Sequence, residues 1–462
     1  MERKNVWDTY SEQDLFELEK INSEYKNCLD AAKTERECVT ESIRRAEAAG
    51  YRDLNEVVKS GTKIVPGSKV YSTWMEKSIV LFHIGEEPLE NGLNILGAHI
   101  DSPRIDLKQM PLYEEQEFAY FDTHYYGGIK KYQWVTIPLA IHGVVVRKDG
   151  SKMEIVIGEK EDDPVFVISD LLIHLSKDQM NKKVGEAISG EKLDLLIANR
   201  PLAGEGKERV KNGVLKLLED AYNIEEADFL SAELELVPSG KARDCGIDRS
   251  MIMAYGQDDR ACAFTSLFAI MEADQVKRTA CCILVDKEEV GSMGATGMQS
   301  RFFENTVAEL ISGIEGTENY SELKLRRTMA NSKMLSSDVS AAFDPMYAEV
   351  FEKKNSAYFA NGVVFNKYTG SRGKSGSNDA NAEYIAEIRR IMEENQVAFQ
   401  TAELGKVDAG GGGTIAYILA NQGMNVIDCG VAVLSMHAPW EVTSKADIYE
   451  AVKCYRAFLK DA

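Results

Sequence analysis

The residues of this chain that could do chemistry are His99, Asp101, Asp258, Asp259, Glu288, Glu289, Asp338 and His437. Adjacent acids such as Glu288-Glu289 and Asp258-Asp259 repel one another unless a cation or a shared proton relieves them. His99 and Asp101 lie two apart, so on an extended backbone their side chains point the same way. A carboxylate within reach of the second ring nitrogen is what fixes the tautomer of a metal-bound histidine. Imidazole favours zinc and carboxylates can bridge, so two histidines with several acids suit a pair of divalent ions. Two such ions, about 3.5–4 Å apart, clamp both oxygens of a hydrolytic displacement and lower the pKa of water toward about 7. One acid must stay off the metals to take the proton. Taken singly, each residue also has an ordinary reading: a solvated acidic loop, a structural histidine, or an acidic helix start worth about 1 kcal/mol.

The elements around these residues gather them on one edge. Cys281-Cys282-Ile283-Leu284-Val285 is an apolar run opened by Thr279 and followed, after the acids, by Gly291-Ser292. It has the pattern of a strand buried on both faces of a parallel sheet. In open α/β sheets ligands bind beyond the carboxyl ends of the strands, which is where Glu288 and Glu289 emerge. A second strand from Leu93 runs into His99, a short third from Met334 carries Asp338, and a fourth from Val426 to Met436 ends at His437. Asp258 and Asp259 open a helix from Ala261 to Met271. Further helices are expected within 11–49, from Gln299 to Ile314, from Asn378 to Asn395 with Asn378 or Asp379 as cap, from Ile415 to Asn421 and from Ser444 to Lys460. The run Gly410-Gly411-Gly412-Gly413 precedes the helix at Ile415, and backbone N–H groups at Gly411 and Gly412 could approach an anion or a carbonyl oxygen closely.

Residues 107–249 differ. They hold β-like runs at Phe118 to Tyr126, Trp134 to Arg147, Met153 to Gly158, Val165 to Leu175, Leu193 to Ile197 and Leu230 to Leu236, with one helix from Gly206 to Tyr222. Acids and histidines are not concentrated there, and His124, His142 and His174 read as structural or surface residues. The expected architecture is α/β: a domain of residues 1–106 and 250–462, interrupted by a β-rich insertion at 107–249.

At 462 residues the chain exceeds what one hydrophobic core accommodates, so two domains are the default. A formal charge of −20 excludes nucleic acid and anionic membrane surfaces as expected partners. The 8 cysteines show no paired spacing and read as small core residues in a reducing compartment. With no signal-peptide pattern and no apolar stretch of spanning length, a soluble cytoplasmic protein is expected.

As an ordered set, Gly97-Ala98-His99-Ile100-Asp101-Ser102-Pro103-Arg104, Gln257-Asp258-Asp259-Arg260, Asp286-Lys287-Glu288-Glu289-Val290-Gly291-Ser292, Ser337-Asp338-Val339, Gly370 to Asp379 and Met436-His437 resemble the M18 family of metalloaminopeptidases. The resemblance covers nearly the whole chain. It implies a di-zinc α/β/α peptidase domain, with the β-rich insertion mediating assembly into dodecamers. It further implies that His99 binds one ion with Asp338, that His437 and Glu289 bind the other, and that Asp258 bridges them. Glu288 would be the general base, Asp101 the partner of His99, and the Asp258-Asp259 peptide cis. The chain departs from the family in having Asp259 where many relatives have Asn. It reads Ser169-Asp170-Leu171-Leu172-Ile173-His174 where eukaryotic members read Pro-His-Leu-Ala-Ile-His, and Trp134-Val135-Thr136-Ile137-Pro138 replaces a Trp-Phe-Asp-Arg run.

The function expected is removal of the N-terminal residue of short peptides by an oligomeric enzyme carrying two zinc ions per subunit, with cobalt or manganese as alternative metals. Lys367, Arg372 and Lys374, in a glycine-rich loop, are candidates to recognise an acidic P1 side chain, against a solvated basic loop. The competing readings are another two-metal hydrolase, such as a deacylase or carboxypeptidase, and a non-catalytic scaffold. An intact Glu288-Glu289 pair argues against the scaffold.

Overall fold

Strand Asn94–His99 lies at the heart of the larger sheet and pairs in parallel with Ala280–Val285 on one side and Lys333–Ser337 on the other. Asn425–Gly430 continues the parallel set beyond Lys333–Ser337. In the computed structural model, which describes residues 4–462, these four strands are the centre of a nine-stranded sheet. Antiparallel neighbours, Ser78–His83 and Val363–Asn366, flank the set. Register brings Val285 opposite His99 and Ser337 opposite Cys429, so the carboxyl ends share one edge.

Alternation along these strands divides their side chains between two cores. Leu96, Ala98, Cys282, Leu284, Leu335 and Ile427 pack with Phe264 and Leu267 of helix Gln257–Glu272 and with Tyr455 and Phe458 of helix Lys445–Asp461. Ile95, Cys281, Ile283, Met334 and Val426 pack on the other face, with Phe303, Val307 and Leu310 of helix Phe302–Glu315. The result is a helix-sheet-helix sandwich, and the adjacent cysteines 281 and 282 serve opposite cores. Truncating a fully buried member such as Leu96 to Ala would cost about 2–5 kcal/mol. Two N-terminal helices, Glu12–Ala31 and Glu35–Ala48, start at capping boxes formed by Ser11 with Asp14 and Thr34 with Glu37.

The chain divides into two units. The first comprises the chain up to Asp101, Ala242–Met436 and Glu441–Ala462. It includes a second sheet in which Met251–Ala254 pairs with Glu441–Ser444, followed by Ala432–Leu434 and Ser340–Ala341. The second comprises Ser102–Lys241 and His437–Trp440. It is built on an antiparallel sheet of six strands in the order Lys152–Ile157, Leu139–Val146, Ala232–Pro238, Arg104–Glu115, Phe118–Tyr126 and Leu195–Ala198. Helix Arg209–Tyr222 buries Val210 and Val214.

Four local expectations are corrected. Val165 to Leu175 is no strand: Phe166 and Val167 make isolated bridges and Ile168 alone is buried, while Leu171, Leu172, Ile173 and Leu175 are exposed. The run from Trp134 yields a strand only from Leu139, because a 3-10 turn at Lys131–Gln133 and the left-handed Thr136 break the backbone first. The helix expected from Asn378 begins at Ala382, since Asn381 is the residue whose side chain accepts from the N–H of Tyr384. The run Val426 to Met436 splits at Val431, and Ala432–Leu434 joins the other sheet.

Candidate metal centre

His99, the last residue of its strand, is buried, and its Nδ1 lies 2.9 Å from the carbonyl oxygen of Asp101 and 3.3 Å from Asp101 Oδ1. A carbonyl oxygen only accepts, so Nδ1 carries the proton and the lone pair sits on Nε2. Nε2 faces Asp258 Oδ1 at 3.3 Å, Glu288 Oε2 at 3.9 Å and Asp338 Oδ1 at 4.0 Å, and it makes no hydrogen bond. Acceptors converge on acceptors, an arrangement that only a proton or a metal ion reconciles. His99, Asp258 and Asp338 each offer a donor atom with all three within 4.8 Å of one another, and so do His99, Glu288 and Glu289. One imidazole with several carboxylates is a donor set that zinc accepts, so these residues fit a zinc ion.

The electrostatics agree. Burial disfavours a charged ring at His99, but Asp101, Asp258, Glu288 and Asp338 outweigh it, and its pKa stands well above the usual value. Burial, then the neighbouring Asp259, pushes the Asp338 carboxyl well above the carboxylate range. Asp259 is likewise raised, first by burial and then by Asp258, although His99 works the other way.

Main-chain geometry aims the acids. A 3-10 turn at Glu288–Val290, bracketed by left-handed Lys287 and Gly291, follows strand Ala280–Val285. Asp101 holds that turn, because its Oδ1 accepts from the N–H of Glu288 at 3.1 Å and its Oδ2 from the N–H of Glu289 at 3.2 Å. Asp286 anchors the same loop by accepting from Thr296 Oγ1 at 2.6 Å, and burial, with Glu35 and Asp101 nearby, pushes it up to about 6. Asp258 and Asp259 stand at the start of helix Gln257–Glu272 with non-helical dihedrals, and the peptide between them is cis, as the resemblance implies. Asp259 Oδ2 accepts from the N–H of His99 at 3.4 Å. Gly430 lets the turn bearing Asp338 come close, since a Cβ there would strike the Asp338 carbonyl oxygen.

His437 follows Met436, heads the short segment counted with the second unit and has a left-handed backbone. Its Nδ1 lies 2.9 Å from the Gly128 carbonyl oxygen, so it too keeps its lone pair on Nε2.

Lys367, Arg372, Lys374, Gly411 and Gly412 gather elsewhere. The N–H of Gly370 donates to the Gly412 carbonyl oxygen at 2.5 Å, joining the two glycine-rich loops. Arg372, Lys374, Glu403 and Asp408 line a cavity of about 230 Å³ whose walls include none of the strand-end acids. Lys374 is engaged within its loop, 2.9 Å from Asp379 and 3.7 Å over the Tyr368 ring, and Lys367 lies 3.8 Å from the same Asp379. Two supporting residues escaped the sequence reading, Asp286 and Glu441; the latter's Oε2 accepts from the N–H of Asp258 at 3.0 Å.

The model of the family described as aminopeptidase I zinc metalloprotease (M18) matches residues 28–459. A relative from Clostridium acetobutylicum, named as an M18 family aminopeptidase 1, is 60% identical over 461 residues, covering 100% of this chain and 98% of its own. The crystal structure of the M18 aminopeptidase from Thermotoga maritima superposes with a TM-score of 0.95 at 44% identity, covering 100% of both chains. A Saccharomyces relative solved as a dodecamer shares the fold, with a TM-score of 0.74 at 20% identity and 94% and 95% of the two chains covered. Acids and a tautomer-fixed histidine at the carboxyl ends of parallel strands, a whole-chain match and these identities lead to one conclusion: the chain belongs to the M18 family of zinc metalloproteases and is an aminopeptidase.

Proposed function

We propose that the enzyme uses two divalent ions per subunit, one held by His99 and Asp338, the other by Glu289 and His437, with Asp258 bridging. The observation that carries this reading is His99 Nε2, its lone pair aimed at three carboxylates with no hydrogen bond between them. Bound zinc, or cobalt or manganese in its place, supplies polarisation of the scissile carbonyl and a lowered pKa for water. Glu288 takes the proton from the attacking water and returns it to the leaving amine nitrogen as the C–N bond breaks. Asp101 keeps His99 in its ligating tautomer and fixes the turn from which Glu288 projects. The concentration of carboxylates also suits a substrate with a protonated N-terminus.

The glycine-rich loops are proposed to bind substrate. N–H groups at Gly411 and Gly412 would meet the peptide backbone, and Lys367, Arg372 and Lys374 would receive an acidic P1 side chain. The second unit is proposed to build a large homo-oligomer, a dodecamer by analogy with the Saccharomyces relative. Among the described residues no helix is long and apolar enough to cross a membrane, and we place the enzyme in the cytoplasm, acting on short peptides.

A panel of aminoacyl and peptide substrates with zinc, cobalt or manganese tests the proposal. Release of the first residue from a free peptide, with none from its N-acetylated counterpart, is expected. Equal cleavage of both would favour a deacylase or carboxypeptidase.

A further inference from the structure

Glu441 is a carboxylate 1% exposed that meets the site at the main chain of Asp258. It opens strand Glu441–Ser444, which pairs antiparallel with Met251–Ala254 so that Glu441 stands opposite Ala254. Past Ala254 the chain turns through left-handed Gly256 and brings Gln257 and Asp258 back alongside Glu441. Both are then tied to that one residue. The Gln257 amide donates to the Glu441 carbonyl oxygen at 2.8 Å, and the N–H of Asp258 donates to Glu441 Oε2 at 3.0 Å. Gln257 is itself fixed, because its Oε1 accepts from Tyr25 at 3.1 Å and from Thr443 at 2.7 Å. Asp258 has φ −83° and ψ 104°, well outside the helix that follows.

We infer that Glu441 is a positioning residue for the metal centre: by accepting from the Asp258 N–H, it fixes the main chain from which the Asp258 carboxylate reaches the ions. The inference rests on the two-ion reading above. Removing the acceptor leaves a buried N–H unsatisfied and lets the Asp258 dihedrals relax, moving the carboxylate off its place. Partners that orient metal ligands are typically worth 10–100-fold in metal affinity. A glutamine retains an oxygen for this N–H and should restore the geometry without the charge.

Zinc affinity of the full chain, measured by competition with a chromophoric chelator, tests this in the wild type, Glu441→Gln and Glu441→Ala, with thermal unfolding of each metal-free protein alongside. Glu441→Ala is expected to bind zinc about 10–100-fold more weakly, and Glu441→Gln within about threefold of wild type. Wild-type affinity in Glu441→Ala overturns the inference. So does a loss in Glu441→Gln as large as in Glu441→Ala, which would make charge rather than the hydrogen bond responsible. A wild type that binds no divalent ion would instead overturn the two-ion reading. Should Glu441→Ala not fold, Glu441→Met keeps the volume without the acceptor and is judged by the same criteria.

Discussion

The carboxylate of Asp101 accepts from the backbone N–H of Glu288 at 3.1 Å, linking the residue behind the histidine to the main chain of the acid proposed to activate water. The other oxygen of Asp101 does the same for Glu289, so one buried residue sets the histidine tautomer, chiefly through its carbonyl oxygen, and the acid placement, through its carboxylate. Asp101→Asn offers one acceptor oxygen where the carboxylate offers two. Metal affinity should fall by about 10–100-fold, with a drop in turnover that added zinc only partly restores. Chelator competition beside kcat at saturating zinc checks this, and unchanged affinity would count against it.

The neighbouring acids should separate by experiment. Glu289→Gln should weaken one zinc, and excess metal should recover part of the activity. Glu288→Gln should keep both ions yet lose about 10²–10⁴ in turnover, the contribution of a general base, with no rescue by metal. Metal content measured with turnover decides: a metal lost from Glu288→Gln would reverse the two roles.

Assembly has its own handle. Leu172, Ile173 and Leu175 are 53%, 67% and 68% exposed, next to Leu171, which is exposed as well. Exposed apolar runs of this kind mark contact surfaces. Ile173→Asp with Leu175→Asp should leave the far-ultraviolet circular dichroism unchanged and shift sedimentation to smaller species. A large particle that persists would locate the assembly contacts elsewhere.

Stability should depend on pH through Asp447, a buried carboxyl that accepts from the N–H groups of Ala360 and Gly362, each at 2.9 Å. Burial raises it from 3.8 to about 8. A raised folded-state value means that its contribution to stability is fully present below the unfolded value, near 3.8, and is lost as pH rises through about 8. Asp447→Asn, uncharged throughout, should therefore flatten the decline in unfolding free energy across that window. Urea titrations of metal-free protein at several pH values test it; parallel slopes for variant and wild type would be the contrary result.

Much of the larger sheet was legible because a strand buried on both faces reads as an uninterrupted apolar run, and a carboxylate stands out where such a run stops. That logic placed Glu288 and Glu289 just past Val285, and His99 at the end of its own strand. It failed at Val165 to Leu175, where Ile168 is buried but Leu171, Leu172, Ile173 and Leu175 are not, because composition does not say which surface will cover it. It also passed over Glu441. The role of that residue depends on its register against Ala254, a partner nearly two hundred positions earlier, and antiparallel register between distant segments leaves no local signal. The cap of helix Ala382–Glu394 was misplaced by two or three residues because Asn378, Asp379 and Asn381 are all competent caps and tertiary contacts choose among them.

The pairing of Asn94–His99 with Ala280–Val285 and Lys333–Ser337 has a consequence for the order in which the molecule comes into being. The histidine strand leaves the ribosome long before either neighbour exists, whereas the strands of the second unit, from Arg104 to Pro238, find all their partners within that stretch. Because units fold as they are completed, the inserted unit can finish during synthesis while the halves of the catalytic sheet still wait for each other. Helix Lys445–Asp461, which packs Tyr455 and Phe458 against the sheet, is made after all of these strands. A nascent chain therefore cannot bring the proposed metal ligands together before the strands that follow the inserted unit have been made, and a chain truncated ahead of Lys333 would display the inserted unit without hydrolysing peptides.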